Sequence, residues 1–431
     1  MSEKYEKIGI VGAGISGIGA AKLALDLGAK VFISDGKPLG ELEKELKNAG
    51  LLTAQTESKI EFEGGGQSER IYECGLIVVS PAVWRNSPIF TEAKKRSIEV
   101  IGEVEFAFRN SRCRWAAITG STGKSTTSAM LNAVFDESEI AHCLCGNIGF
   151  SAAELAVKLP ENGVAICEIS SFQLETIDKF CPEVAVILNL YPNHLDRHAS
   201  LEEYYGVKMT ISKNMKRGLK ITTSAQKLLE DWAKDGDPES FFYDKTSRSL
   251  LGKLSENVKL AGTHNLYNAA ICVKIAEHFG ISEDKILSGI SKFRGLEHRM
   301  EFCAELNGVR FYNDSKSTTA ESMLAAITGF APKSVHLIAG GKDKGVPFEE
   351  HKEKIYETCA KVYAIGEASE RIKKSWGEIV TDCENLKNAV EAAKKAAKPK
   401  DAVILSPACA SFDQFKGFED RGNKFREAVN G

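Results

Sequence analysis

The chain contains no apolar run approaching 18 residues, so no stretch is long enough to cross a membrane as a helix. It contains no CxxC. Its eleven cysteines stand singly, the nearest two being Cys143 and Cys145, which argues against a zinc or disulfide framework. Reduced thiols in a cytoplasm are the simpler expectation. Charge of one sign is also missing: a net charge of −3, with both signs interspersed, leaves no basic footprint for nucleic acid. No short-period repeat or low-complexity tract occurs, and "MSEKYEKIGIVGAG" enters a strand pattern directly, without a signal peptide. What is there has a globular composition, 43% hydrophobic and 27% charged. Its 431 residues suggest more than one domain.

Three segments alternate buried strand runs with helical periods, the pattern of parallel sheets flanked by helices. The first, residues 1–102, opens with "KIGIVGAGISGIGAAKLALDLGAKVFISDG", which reads strand, glycine turn, helix, strand and ends on Asp35. "GLIVVSPAV" is a later buried strand, and "EGGGQSER" (63–70) reads as a surface hairpin or loop. The second segment, 103–297, has buried strands at "RWAAITG", "GVAICEIS" and "EVAVILNL"; from Met215 to Lys259 it is mixed and polar, with no readable order. The third, 298–431, has strands at "VRFYNDS", "SVHLIAGG", "KVYAIG" and "DAVILSPA", and a helix at "NLKNAVEAAKKAAKPK" whose lysines form a solvated face. The expected class is α/β.

Gly12, Gly14 and Gly17 form a GxGxxG with Asp35 at the end of the next strand, a dinucleotide-type fingerprint. Read alone it suggests NAD, but any nucleoside diphosphate can use the same cradle at a helix N-terminus. "ITGSTGKSTT" (118–127) is a shortened P-loop, with two residues between Gly120 and Gly123 where the standard loop has about four. Its backbone N–H groups suit phosphate oxygens, Lys124 can reach the outer phosphates, and the Ser125 hydroxyl can bind Mg²⁺. Glu168, in "CEISSFQLE", ends a buried strand, where a carboxylate is costly unless a cation compensates it.

Other candidates are ordinary loop, cap or surface residues when read singly. His194, Asp196 and His198 cluster in "NHLDRH", where imidazoles can ligate a metal or orient a carboxylate. Lys208 follows on a helix pattern. Asn265 and Asn268 stand three apart at a helix start, able to present amides to an adenine edge, and Arg299 sits in "LEHRM" at the expected inter-domain junction, well placed to contact a γ-phosphate. Asp314 and Lys316 follow a strand in "YNDSKSTT", and Lys342 and Lys344 lie in the glycine turn "GGKDKG".

Taken together, "GSTGKST", "GNIG", "EISSFQLE", "NHLDRH", "GTHNLYNAA", "LEHRME", "YNDSKSTT", "GGKDKG" and "LSPACASFDQFKGFEDRG" resemble the Mur ligase family, ATP-dependent amide-forming enzymes of bacterial cell-wall synthesis. The resemblance runs from about residue 8 to the C-terminus. It implies three domains: a Rossmann-like N-terminal domain binding a UDP substrate, a central P-loop-type ATPase domain with a parallel sheet, and a C-terminal Rossmann-like α/β domain binding an amino acid. The last motif is similar to that of the member adding D-glutamate to UDP-N-acetylmuramoyl-L-alanine.

The residue roles that follow are those the resemblance implies. Gly120, Ser121, Thr122, Gly123, Lys124, Ser125 and Thr126 form the ATP loop, with Asn265, Asn268, Arg299 and Asp314 completing the nucleotide site. Lys124, Glu168, His194 and Lys208 are catalytic. Ser125, Glu168, His194 and a carbamylated Lys208 hold two Mg²⁺ ions. Gly14, Ile15, Ser16 and Asp35 take the uridine diphosphate, while Asn147, Ser170 and Gln173 take the muramoyl part. Lys316, Thr318, Lys344, Ser411, Phe412 and Phe418 take D-glutamate. The protein is expected to be a cytoplasmic monomer without nucleic-acid or membrane partners, closing on a hinge near residues 294–300.

Two enzyme readings compete. A folylpolyglutamate-synthase-like protein shares the ATP loop but lacks the glycine-rich first domain and the "SPACASFDQF" ending. An NAD-dependent oxidoreductase explains the first fingerprint and leaves the carboxylate-activating residues without work. A non-catalytic nucleotide-binding module leaves Lys124, Glu168, His194, Lys208 and Asp314 equally idle.

Overall fold

Ile8, Ile10 and Val11 are all buried, as a strand covered by helices on both faces requires. The computed structural model describes residues 5–192, 197–260, 262–343, 345–346 and 348–431. Its first sheet contains β1 (Lys7–Val11), β2 (Lys30–Asp35), β3 (Ile60–Gly64), β4 (Leu76–Val79) and β5 (Glu99–Gly102), in the order β3-β2-β1-β4-β5 and all parallel. The second contains β6 (Arg114–Thr119), β7 (His142–Gly146), β8 (Val164–Glu168), β9 (Val184–Ile187), β10 (Leu219–Thr222) and β11 (Glu239–Phe242), again parallel, ordered β11-β10-β9-β6-β8-β7. The third contains β12 (Glu301–Leu306), β13 (Val309–Asn313), β14 (Val335–Gly340), β15 (Cys359–Ile365), β16 (Val380–Asp382) and β17 (Ala402–Leu405), ordered β12-β13-β17-β14-β15-β16. Only the β12–β13 pair of that sheet is antiparallel among the described residues.

The expected α/β class with three parallel-sheet cores is therefore what the chain adopts. Two compact units result, Met1–Leu250 with Ala270–Gly289, and Leu251–Ala269 with Ile290–Gly431. The first unit carries the first two sheets, and one apolar core runs through it from Ile8 to Trp232. Trp115 anchors part of that core in edge-to-face contact with Phe108 and Phe180, at 5.9 and 5.6 Å. Each such contact adds about 0.5–1.5 kcal/mol beyond its buried area.

Strand order decides where ligands can bind. In both parallel sheets the strands that follow the central one, β1 or β6, fill first one side of it and then the other, and the crevice at such a switch point is the usual ligand site. The glycine fingerprint follows β1 and the shortened P-loop follows β6.

Some elements differ from the sequence reading. Of the hairpin or loop expected at 63–70, the loop is what forms: β3 pairs in parallel with β2 as far as Gly64, and a loop and a short 3-10 turn at Glu69–Glu73 follow it. The unordered polar stretch holds β10, the helix Lys227–Lys234, β11 and the helix Arg248–Asn257. Several of the unread strands, β3, β7, β11, β12 and β16, are sheet edges, half exposed and without a continuous apolar run. None of the described helices is long and apolar enough to span a membrane.

Candidate active site

The loop after β6 is built to leave its backbone open. Gly123 is the N-cap of the helix Lys124–Asp136 at φ +85°, a left-handed conformation that a residue with a Cβ adopts only under strain. Asn189, just past β9, braces the loop from one side: its Oδ1 accepts from the Thr122 N–H at 3.0 Å, and the Ser121 N–H donates to the Asn189 carbonyl at 3.0 Å. Ser121 Oγ donates to the Tyr191 carbonyl at 2.9 Å and lies 3.2 Å from the Tyr204 hydroxyl. Lys124 curls back over the turn, its Nζ donating to the carbonyls of Gly120 at 2.9 Å and Ser121 at 3.2 Å. Ser125 and Thr126 are half-buried in the first helical turn.

Two buried ionisable side chains face this loop. Glu168 pairs in register with Ile118, so its carboxylate emerges beside the loop at 1% exposure. Its Oε1 accepts from Asn147 Nδ2 at 2.7 Å, and its Oε2 is buried with no hydrogen-bond partner among the described residues. A carboxylate oxygen left so is costly, and a cation is the compensation it fits. Lys208, from the helix Leu201–Met209, is also 1% exposed; its Nζ donates to the Gly120 carbonyl at 3.0 Å and lies 3.4 Å from Thr119 Oγ1. Burial drives its pKa down to about 7; the charge of Lys124 lowers it further and Glu168 opposes the fall.

The first glycine turn divides its labour. A Cβ on Gly17 would sit 1.7 Å from the Gly12 carbonyl oxygen, so close helix–turn packing demands glycine there. A Cβ on Gly14 would meet nothing within 4 Å, and Ile15 beside it is 72% exposed. The open first turn, Gly14 to Ser16, is thus available to a ligand. Asp35 is occupied by the loop itself, accepting from the N–H groups of Ala13 at 2.6 Å and Lys37 at 2.8 Å. Ser170 and Gln173 form a reciprocal capping box on the short helix Ser171–Leu174, so both carry a structural task within the substrate set.

In the second unit, Asp314 follows β13 and is buried. It accepts from the Met300 N–H at 3.1 Å and from Ser406 Oγ at 2.7 Å, and burial raises its pKa to about 6. The Asn268 amide donates to Asn265 Oδ1 at 3.1 Å, both side chains being buried. Lys316 is exposed, its Nζ 5.6 Å from the Phe418 ring centroid, and Phe418 meets His298 edge to face. Ser411 is buried, whereas Phe412 is 66% exposed and Thr318 is exposed as well. His194, Asp196 and Lys344 lie outside the described residues.

Several side chains that hold these loops carry no role in the sequence reading. Arg421 is fully buried and donates to Ser315 Oγ and to the carbonyls of Ser315, Cys409 and Ala410, so one guanidinium ties the two loops that bear Lys316 and Ser411. Asn189 and Tyr204 brace the loop after β6. The signal for Asn189 was a polar residue directly after a buried strand; Arg421 offered only an arginine among helix-start acids. Among the described residues no group of three or more His, Cys, Asp or Glu side chains is arranged to hold a metal by itself.

Comparison with known proteins places this geometry in context. Residues 7–89 match the model of the MurD N-terminal domain, 118–250 that of the Mur ligase middle domain, and 298–409 that of the Mur ligase glutamate ligase domain. The chain is 35% identical to UDP-N-acetylmuramoylalanine–D-glutamate ligase of Caldanaerobacter subterraneus subsp. tengcongensis, covering 100% of this chain and 99% of that one. It is 36% identical to the protein of the same name from Koribacter versatilis, covering 100% and 98%. Among solved structures it is similar to MurF ligase from Thermotoga maritima in complex with ADP, at 16% identity and a TM-score of 0.55, covering 98% of this chain and 95% of that one. That likeness speaks to the fold alone.

Proposed function

The chain belongs to the Mur ligase family, and from that premise we propose that it joins D-glutamate to UDP-N-acetylmuramoyl-L-alanine, converting ATP to ADP and phosphate. A carboxylate is a poor electrophile because its oxygen is a bad leaving group. Transfer of the γ-phosphoryl group to the alanine carboxylate, with ADP departing, makes an acyl phosphate. The D-glutamate amine, having lost a proton, attacks the carbonyl carbon; the tetrahedral intermediate collapses and expels phosphate. Full-length relatives bearing that ligase name support the substrate assignment, and the ADP complex of the MurF neighbour supports the nucleotide.

In this reading the described residues divide the work as follows. The backbone of Gly120–Gly123 cradles the phosphates, and Lys124 swings from its two loop carbonyls to the transferring group. Ser125, Glu168 and carbamylated Lys208 would hold Mg²⁺, which when bound neutralises charge on the phosphates and the acceptor carboxylate. Gly14–Ser16 receive the uridine diphosphate; Lys316, Thr318 and Ser411 receive the two carboxylates of D-glutamate. Asn265, Asn268, Arg299 and Asp314 complete the nucleotide site. Residues 1–102, 103–297 and 298–431 form the three functional parts of a cytoplasmic monomer.

One observation carries the reading: an amine buried so that it readily loses its proton stands over the ATP loop with a carboxylate oxygen that has no partner among the described residues. The test is release of ADP and phosphate with ATP, Mg²⁺, UDP-N-acetylmuramoyl-L-alanine and a panel of amino acids. Release requiring both that nucleotide and D-glutamate, with an amide-linked product by mass, is the expected result. Release with a different amino acid would refute the substrate assignment and leave the chemistry.

A further inference from the structure

Arg197 has no role in the chemistry described above, yet its side chain is 6% exposed and bonded on several sides. We propose that Arg197 is the positioning residue that keeps the uridine-diphosphate half of the substrate site in register with the half beside the ATP loop. The inference rests on the function proposed above.

The contacts fall into two groups. Nη1 donates to the Pro81 carbonyl at 2.7 Å and Nη2 to the Val83 carbonyl at 3.1 Å. Those carbonyls lie on the loop leaving β4, whose first residue, Ser80, donates its N–H to the Val11 carbonyl at 2.9 Å. A Cβ on Gly12 would meet the Ser80 side chain at 2.8 Å, so this loop is a wall of the first glycine turn. On the other side, Nη2 pairs with the Glu175 carboxylate at 2.8 Å, and the guanidinium lies 4.0 Å from the Phe172 ring centroid. Phe172 and Glu175 belong to the short helix and its C-cap, which Ser170 and Gln173 cap at the other end.

From there the packing continues to the phosphate cradle. Phe172 meets His198 at 6.0 Å, His198 meets Tyr204 at 5.2 Å, and the Tyr204 hydroxyl lies 3.2 Å from Ser121 Oγ. One side chain therefore joins the loop after β4, which walls the turn after β1 on the first sheet, to elements contiguous with the loop after β6 on the second. A guanidinium suits this task, because its planar fork serves two carbonyls and a carboxylate at once while its face rests on a ring. A lysine ammonium cannot reproduce that set.

The proposed substrate carries its nucleotide at one end and its reacting carboxylate at the other, so it binds as a linked pair of fragments. Linkage strengthens binding only when the two sites are held at the right separation. The near-attack geometry needed at the phosphoryl group is equally sensitive to that register. Loosening it should leave each fragment's affinity unchanged and weaken the joined molecule. Arg197 is not alone in joining the two parts: Lys22 pairs with Glu154 at 2.8 Å, and the Gly102 N–H donates to the Thr176 carbonyl at 3.2 Å.

Calorimetry on the full chain tests this with UDP, ATP and UDP-N-acetylmuramoyl-L-alanine as separate titrants. The variants are Arg197→Lys and the double change Arg197→Gln with Glu175→Gln, which leaves no unpaired buried charge. In both, the Kd values for UDP and for ATP should stay within about twofold of wild type, while that for the joined substrate rises about tenfold or more, as does its KM. An unchanged affinity for the joined substrate overturns the proposal. A parallel loss for all three titrants with a lowered melting temperature also overturns it, since that is an ordinary structural role. If the wild type itself binds UDP-N-acetylmuramoyl-L-alanine no better than UDP, the proposed function fails and takes this inference with it.

Discussion

Lys124 and Lys208 share one acceptor, the carbonyl oxygen of Gly120, with their Nζ atoms 2.9 and 3.0 Å from it. Two ammonium groups that close repel, and the more buried one gives up its proton more readily. Lys208 is that one, with a pKa brought down to about 7 mainly by burial. A neutral amine is nucleophilic towards CO₂, and the resulting carbamate replaces a cation with an oxygen-bearing anion suited to Mg²⁺.

Activity should accordingly depend on dissolved CO₂. Protein degassed and held under CO₂-free buffer should lose most of its ligase rate, and bicarbonate should restore it. The restoration should become faster as pH rises through about 7, where the free amine is formed. Lys208→Ala should be inactive, and restoration by a short-chain carboxylic acid would confirm that an anion is what the site lacks. A wild-type rate indifferent to CO₂ in a verified CO₂-free buffer would end the carbamate reading.

The same burial predicts that function costs stability. A cation whose pKa falls from 10.5 to about 7 on folding opposes folding most fully below pH 7, and the penalty fades as pH rises towards 10.5. Lys208→Met, similar in volume and uncharged, should raise the unfolding free energy at pH 6–7 by roughly 2 kcal/mol or more while abolishing activity. Urea denaturation should show the gain shrinking between pH 7 and pH 10. A pH-independent gain would point to better packing and away from the charge.

The glycines of the first turn should separate fold from ligand. Gly17→Ala places a Cβ against the Gly12 carbonyl at 1.7 Å, so it should destabilise the protein by roughly 1–3 kcal/mol. Gly14→Ala has open space and an ordinary φ of −74°, so its melting temperature should match wild type. Its added methyl group does stand where a diphosphate would approach, and the KM for the UDP substrate should rise several-fold with the KM for ATP unchanged. Equal KM values in Gly14→Ala and wild type would move the uridine site elsewhere.

How much of this could be read from the chain alone follows from what each feature depends on. The turns after β1 and β6 were legible because a close helix–turn approach and a left-handed cap demand glycine at fixed spacings, as Gly17 and Gly123 do. The edge strands were not, since β12 opens on the buried Glu301, runs out to the exposed Glu305 and has no apolar run to announce it. Residues that contact a ligand and residues that shape its pocket also look alike in sequence. Ser170 and Gln173 proved to cap one another, and the Asp35 carboxylate is held by its own loop. Arg197 and Arg421 were invisible as keystones because their partners are mostly backbone carbonyls from distant segments, and a carbonyl leaves no mark on a sequence.

Asp314 makes a pH prediction of opposite sign to that of Lys208. It is 2% exposed, and burial raises its pKa from 3.8 to about 6, against the hydrogen bonds from Ser406 and the Met300 N–H and the charge of Arg299. The folded chain thus holds a proton that the unfolded chain releases. The stability this supplies is complete below about pH 3.8 and lost as pH rises through about 6. At neutral pH the carboxylate is buried and charged, and Asp314→Asn should stabilise the protein there by about 1–3 kcal/mol, a gain that disappears near pH 4. Activity should move the other way. If the carboxylate is the form that serves the nucleotide, the wild-type KM for ATP should climb as pH falls below about 6, whereas Asp314→Asn should show a high KM with no acid limb in that range. Initial rates across pH 5–8 at varied ATP, with denaturation curves at the same pH values, measure both. A wild-type KM flat through pH 5–7 would remove Asp314 from the ATP site and leave it a buried structural acid.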